Sequence, residues 1–193
     1  MKSIVVFCGS AEGYNEAYME AAYDLGAMLA TNQIRVIYGG ARVGLMGAVA
    51  DGALSQGGKV VGVIPHFLKT KEIAHEGLTE LITVETMHER KMLMNKLCDG
   101  VITLPGGWGT LEELFEMVTW SMLGLHKKPI GILNVNGYYD ALKALNANVV
   151  QEGFLNECFA KSLLISDSAP ELLDMMHNYT PPAVAKWLTE RTT

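Results

Sequence analysis

Cysteine is scarce in this sequence. Cys8, Cys98 and Cys158 are the three among 193 residues, far apart and without a C-x-x-C pair. An odd, scattered set supports neither a disulfide framework nor a zinc site and fits reduced thiols in the cytosol. The histidines at 66, 75, 88, 126 and 177 show no H-x-x-x-H or H-E-x-x-H spacing, so no metal is expected. No apolar stretch approaches the roughly 18 residues of a membrane span. The apolar run after Met1 is too short for a signal-peptide core and lacks a following cleavage pattern, so a cytoplasmic protein is expected. Positive charge is also sparse. Lys and Arg number 15 against 21 Asp and Glu, for a net charge of -6 with no basic block. That argues against a nucleic-acid binder and leaves small anionic ligands open, since a local site can oppose the global charge. The dinucleotide fingerprint G-x-G-x-x-G, the Walker pattern G-x-x-x-x-G-K-[ST] and the nucleophile elbow G-x-S-x-G are all absent.

What is present is apolar residues, 49% of the chain against 19% charged, arranged as alternating strand and helix signals. Short apolar runs at 4–8, 34–38, 60–64, 81–84, 101–104 and 129–135 read as strands. Helical spacing appears at 14–29, 45–54, 87–98, 110–123 and 138–150. Residues 66–80 are polar and irregular, the loop best suited to cover a site. Residues 163–187 read as one extended piece and one or two helices broken by Pro170 and Pro181-Pro182. This pattern predicts one α/β domain over 1–193, a three-layer, doubly wound, mostly parallel sheet. Glycine loops at 9–13, 39–47 and 106–109 each follow a predicted strand and so gather on one rim, where such folds bind ligands.

The most informative stretch is Val101-Ile-Thr-Leu-Pro-Gly-Gly-Trp-Gly-Thr-Leu-Glu-Glu-Leu-Phe-Glu116. It reads as a covered strand, a glycine turn open to close ligand approach, and a helix whose unpaired N–H groups favour a phosphate. Glu113 and Glu116 follow on one helical face, with Trp120, while Leu111, Leu114, Phe115 and Val118 take the core side. Thr110-Leu-Glu-Glu113 also has the form of a capping box, in which Glu113 merely closes the helix. Arg90 is the odd member of its helix, the one charge in the arc of Met87, Leu93, Met94 and Leu97. Near a helix N-terminus a cation opposes the dipole, so either Arg90 reaches water or an anion such as Glu113 or a ligand phosphate offsets it. Lys91 reads as an exposed lysine that needs no partner. Cys8 and Ser10, at the end of the first strand, sit where nucleophiles can sit. With no identifiable base, a ligand hydrogen bond from Ser10 is the modest reading.

These residues together resemble the LOG ("Lonely Guy") family of cytokinin riboside 5′-monophosphate phosphoribohydrolases, whose bacterial members are often reported as AMP nucleosidases. The family pattern P-G-G-x-G-T-x-x-E is matched by Pro105-Gly-Gly-Trp-Gly-Thr-Leu-Glu-Glu113, and Met-His-x-Arg-Lys by Met87-His-Glu-Arg-Lys91. Phe7-Cys-Gly-Ser, Tyr38-Gly-Gly with Gly44-Leu-Met-Gly47, and Leu133-Asn-Val-Asn-Gly-Tyr-Tyr-Asp140 match as well, over roughly residues 3 to 160. The resemblance implies a modified Rossmann fold, a homodimer with sites near the subunit interface, and catalytic roles for Arg90 and Glu113. It implies nucleotide contacts from Glu72, Lys91, Gly107, Trp108, Gly109, Thr110, Leu111, Glu112 and Thr119. Ser10 and Gly40, on the first two glycine loops, complete the candidate set. Ala41 with Arg42 departs from the usual glycine-rich second loop. The label lysine decarboxylase, also attached to such proteins, finds no support, because no pyridoxal-phosphate lysine with its partners is identifiable. The expected reaction is hydrolysis of the N-glycosidic bond of an adenine nucleoside 5′-monophosphate, without a cofactor. The alternative is a module that binds AMP-like nucleotides without reacting.

Overall fold

The computed structural model describes residues 1–69 and 74–183. Seven strands form one sheet: β1 (Ser3–Phe7), β2 (Arg35–Tyr38), β3 (Val60–Pro65), β4 (Glu80–Val84), β5 (Gly100–Thr103), β6 (Ile130–Leu133) and β7 (Leu163–Ser166). Among the described residues eight α-helices connect or follow them: α1 (Ala17–Thr31), α2 (Gly44–Ser55), α3 (His66–Lys69), α4 (Met87–Leu97), α5 (Trp108–Met122), α6 (Asp140–Gln151), α7 (Glu157–Ala160) and α8 (Ala169–His177). The expected mostly parallel sheet is parallel at every ladder.

Alternation along β1 shows why the sheet is covered on both faces. Ile4, Val6 and Cys8 enter one core with Leu25 and Leu29 of α1, Val49 of α2 and Leu172 of α8. Val5 and Phe7 enter the other with Met94 of α4 and Leu114 and Met117 of α5. A strand buried on both faces must be apolar at every position, and this is the continuous pattern that the sequence carries. Strand order is β4-β3-β2-β1-β5-β6-β7, so the winding reverses between β1 and β5. The loops leaving those two strands part at that point and open a crevice. They are tied at its base by the Gly9 amide, which donates to the Pro105 carbonyl at 3.0 Å.

Three local expectations are corrected. α5 starts at Trp108, with Gly107 as an extended N-cap, so Thr110 lies inside the first turn and no capping box forms there. The two glycines let the helix begin one half-turn early. Capping by a Thr-x-x-Glu segment occurs instead at α4, where Thr86 Oγ1 accepts from the Glu89 amide and the Glu89 carboxylate accepts from the Glu85 amide. On α5 the buried stripe is Thr110, Leu114 and Met117, and Phe115 turns outward with 44% exposure. Leu111, Val118 and Trp120 pack at its margins. The 66–80 stretch is not irregular throughout. It opens with α3, and Ala74 and His75 meet the loop after β2 through an Ala41–Ala74 bridge and a hydrogen bond from the His75 amide to the Gly40 carbonyl. The extended piece and first helix expected after 163 are β7 and α8; the remainder of that expectation lies outside the described residues.

Candidate active site

α4 and α5 lie side by side on the second face of the sheet, and their first turns meet above the β1–β5 crevice. Arg90, in the first turn of α4, is 9% exposed. Its Nε donates to the Val63 carbonyl of β3 at 3.0 Å, and its Nη1 lies 3.4 Å from Glu113 Oε1. The sequence argument that Arg90 needs an anion is therefore met by Glu113, and neither residue is solvated at the surface. Burial pushes the Glu113 carboxyl up to about 7. Arg90 and Lys91 pull it down, while the neighbouring carboxylates of Glu112 and Glu116 push it further up. A guanidinium at 3.4 Å does not offset the loss of water around this acid, which is poised to change charge near neutral pH.

Lys91 is not the exposed lysine that the sequence suggests. It is 8% exposed and held between Glu112 at 2.5 Å and Glu116 at 3.0 Å. Burial works against its charge, but the two carboxylate hydrogen bonds prevail and hold the amine above its ordinary value. Cys8 lies at the floor of the site, where burial drives its thiol far above the usual range. A protonated, sequestered thiol is not a nucleophile.

The crevice above this pair is a cavity of about 400 Å³. Gly107, Trp108, Gly109 and Thr110 form one wall, together with Glu112 and Glu113, and Ser10 comes from the β1 loop. Met46, Leu68 and Met87 supply an apolar side. The first intrahelical bond of α5 runs from the Leu111 amide to the Gly107 carbonyl. The amides of residues 108–110 thus precede the hydrogen-bonded ladder and face outward, as anion-binding helix ends do. Trp108 stands 88% exposed on this rim. Two larger grooves, of about 800 and 770 Å³, border α1. Acids outnumber bases in both, Asp24, Asp140 and Asp167 against Lys143 in one and Glu12, Glu20, Asp24 and Asp51 against Arg42 in the other, a balance that disfavours a phosphate. A further groove of about 530 Å³ lies beside Lys2, Arg35 and Lys59 at the amino ends of the strands, away from the glycine loops.

Of the remaining candidates, Leu111, Thr119 and Gly40 are not brought to the cavity. Leu111 packs against the core beneath α5. Thr119 is exposed further along that helix. Gly40 is buried, with positive φ, against Leu81 and Gly62. Glu72 lies outside the described residues. Arg42, at the departure from the family loop, lines one of the acidic grooves instead. Sequence reasoning passed over Val63, whose carbonyl anchors Arg90, and Gly39, which abuts the guanidinium. The first contributes only backbone and leaves no signal; the second is the member of the Gly39–Gly40 pair that faces the guanidinium. Among the described residues, no group of three or more His, Cys, Asp or Glu side chains is arranged to hold a metal ion.

The family model described as "Possible lysine decarboxylase" matches residues 46–176. The cytokinin riboside 5′-monophosphate phosphoribohydrolase LOG2 of Arabidopsis thaliana is 42% identical over 195 residues, covering 100% of this chain and 92% of its own. This chain belongs to the LOG family. LOG7 of the same plant is 44% identical, covering 93% of this chain and 83% of its own. Among solved structures, the fold of this LOG-family chain is shared by the molybdenum cofactor binding protein of Rippkaea orientalis. That structure has a TM-score of 0.69 at 21% identity and covers 92% of this chain and 97% of its own. The molybdenum cofactor carrier protein of Chlamydomonas reinhardtii has a TM-score of 0.68 at 18% identity, over 91% of this chain and 96% of its own. At those identities the likeness is one of architecture, and function is argued from the site.

Proposed function

We propose that this LOG-family chain hydrolyses the N-glycosidic bond of adenine nucleoside 5′-monophosphates, AMP and cytokinin riboside 5′-monophosphates alike, releasing the free base and ribose 5-phosphate. The observation that carries this reading is a buried Arg90–Glu113 pair directly beside a helix end lined by glycine. The 5′-phosphate docks on the amides of residues 108–110, with Ser10 as a further donor. The apolar side formed by Met46, Leu68 and Met87 receives the purine. The anomeric carbon then lies over Glu113. Breaking the bond to the base builds positive charge on the ribose ring; an ionised Glu113 stabilises that charge and takes a proton from the attacking water, while the departing base takes up a proton from solvent. Arg90 fixes the carboxylate and keeps part of it ionised near neutrality. No step requires a metal or a redox cofactor.

The chain also acts as a homodimer in the cytosol on this reading. Phe115 on α5 and Leu123 at its C-cap are exposed, on either side of Thr119 in sequence, with Met92 exposed on α4. An apolar strip of this kind fits a two-fold contact between copies, and it gives Thr119 a route to the partner's substrate. Free Cys8, Cys98 and Cys158 suit a reducing compartment. No helix among the described residues is long and apolar enough to cross a membrane.

Incubation with AMP followed by chromatography for adenine tests the reaction. Glu113→Gln should bind AMP and release no adenine. Adenosine, lacking the anchor, should be a poor substrate. Equal rates on AMP and adenosine, or adenine release by Glu113→Gln, would overturn the assignment.

A further inference from the structure

Two adjacent glycines follow β2, and they are glycine for different reasons. Gly40 has φ of +82°, a conformation that disfavours any side chain. Gly39 is not among the residues with positive φ, so its backbone would admit an L side chain. The restriction there is space. A Cβ built on Gly39 would lie 2.2 Å from Arg90 Nη2 and 2.9 Å from the sulfur of Met46. The guanidinium occupies the volume that a residue-39 side chain would need.

Arg90 can yield that volume only by giving up the contacts that hold it. It enters from α4, crosses β3 with its Nε bound to the Val63 carbonyl, and ends with Nη1 toward Glu113. The sulfur of Met87 borders Nη1 at 4.0 Å. Four sides of the guanidinium are thus defined by a carbonyl, a carboxylate, a thioether and a bare Cα. A side chain in place of the bare Cα would occupy the fourth side and press on Nη2.

We infer that Gly39 is a positioning residue for the reaction, the slot that seats the Arg90 guanidinium against Glu113. The inference rests on the hydrolytic reading of the Arg90–Glu113 pair for its kinetic consequence, and on geometry alone for its structural one. A methyl group at residue 39 displaces the guanidinium from Glu113, so the acid loses its nearest cation and ionises at higher pH. The phosphate amides on α5 are untouched.

The test is Gly39→Ala, with steady-state kinetics on AMP across pH and an NMR titration of Glu113 in the unliganded protein. The expected result is a fall in kcat of about tenfold to a hundredfold, in line with the sensitivity of turnover to displacements of about 1 Å. KM should stay within about twofold, since the anchor is intact, and both the acid limb of the profile and the Glu113 titration should move to higher pH. An unchanged titration with unchanged kcat would overturn the inference. The titration separates the two readings. If neither wild type nor variant releases adenine, the hydrolytic reading fails, while a shifted Glu113 still supports the slot. Should Gly39→Ala not fold, Gly39→Ala with Arg90→Lys is the second variant, because lysine lacks Nη2. Recovery of the fold in that pair supports the slot; failure of both to fold would overturn it.

Discussion

Glu113→Gln should make the protein more stable at pH 8 while removing its activity. The reasoning starts from burial. In the unfolded chain Glu113 ionises at its ordinary value of 4.5, and in the folded protein at about 7. The folded state therefore holds this proton more tightly. Below pH 4.5 the carboxyl is neutral in both states and imposes no penalty. Between 4.5 and about 7 the unfolded chain ionises while the folded one does not, so stability falls as pH rises. Above about 7 the penalty is complete, and a displacement from 4.5 to about 7 corresponds to about 3 kcal/mol. Glutamine reproduces the shape of the neutral acid and does not ionise. At pH 5 the variant and the wild type should therefore be nearly matched, and at pH 8 the variant should lead by up to about 3 kcal/mol. For a chain of this length that is a gain in Tm of about 6–12 °C. Thermal or urea unfolding without ligand, at pH 5 and pH 8, measures it. A stability difference that does not grow with pH, or a variant less stable than wild type at pH 8, would refute the claim that Glu113 is held ionised at the expense of the fold. The expected outcome is the exchange of stability for function often found at reactive sites.

Other consequences can be measured independently. The acid limb of kcat/KM for AMP should fall near pH 7, because free Glu113 must lose its proton to stabilise the ribose cation; a limb near pH 4.5 would show that the acid is not the buried one described. Lys91→Met leaves Glu112 and Glu116 facing Glu113 without their cation. It should move that limb upward and reduce activity at neutral pH, while an unchanged profile would limit Lys91 to packing. Gly106→Ala should raise KM for AMP with a smaller effect on kcat. A Cβ there would meet Thr110 Oγ1 at 2.2 Å and the Gly9 amide at 2.8 Å, pushing apart the two loops that frame the phosphate site. Overpacking of this kind typically costs about 1–3 kcal/mol, so a thermal melt should accompany the kinetics.

Much of the architecture was legible because β1, β2 and β5 are short apolar runs that lead into glycine turns, and α1 and α5 carry helical spacing of apolar residues. The β1, β2 and β5 glycine loops could be put on one rim from chain order alone, since parallel strands end on the same side. Arg90 was legible as an anomaly: a permanent cation in an apolar arc implies a nearby anion, and Glu113 is that anion. Local patterns were less reliable at the site. Thr110-x-x-Glu113 has the letters of a capping box, but two flanking glycines let the helix start earlier and freed Glu113 for Arg90. Lys91 gave no sign of burial, because its two carboxylates come from a helix more than twenty residues away. Gly39 could not be told from Gly40 without knowing which neighbour each faces, and that depends on the crossing of α4 over β3.

Arg90 and Lys91 are consecutive, and so are Glu112 and Glu113, yet each cation takes a different carboxylate, one at the floor of the crevice and one at its lip. The ion pairs therefore set the rotational phase of α5 against α4. Adding or deleting a single residue between Trp108 and Glu112, inside the first turn of α5, would turn both acids by about 100° relative to the glycine end and uncouple both pairs together. The length of that first turn is as constrained as its composition, and a chain with a longer or shorter one would need a different way to seat its acid.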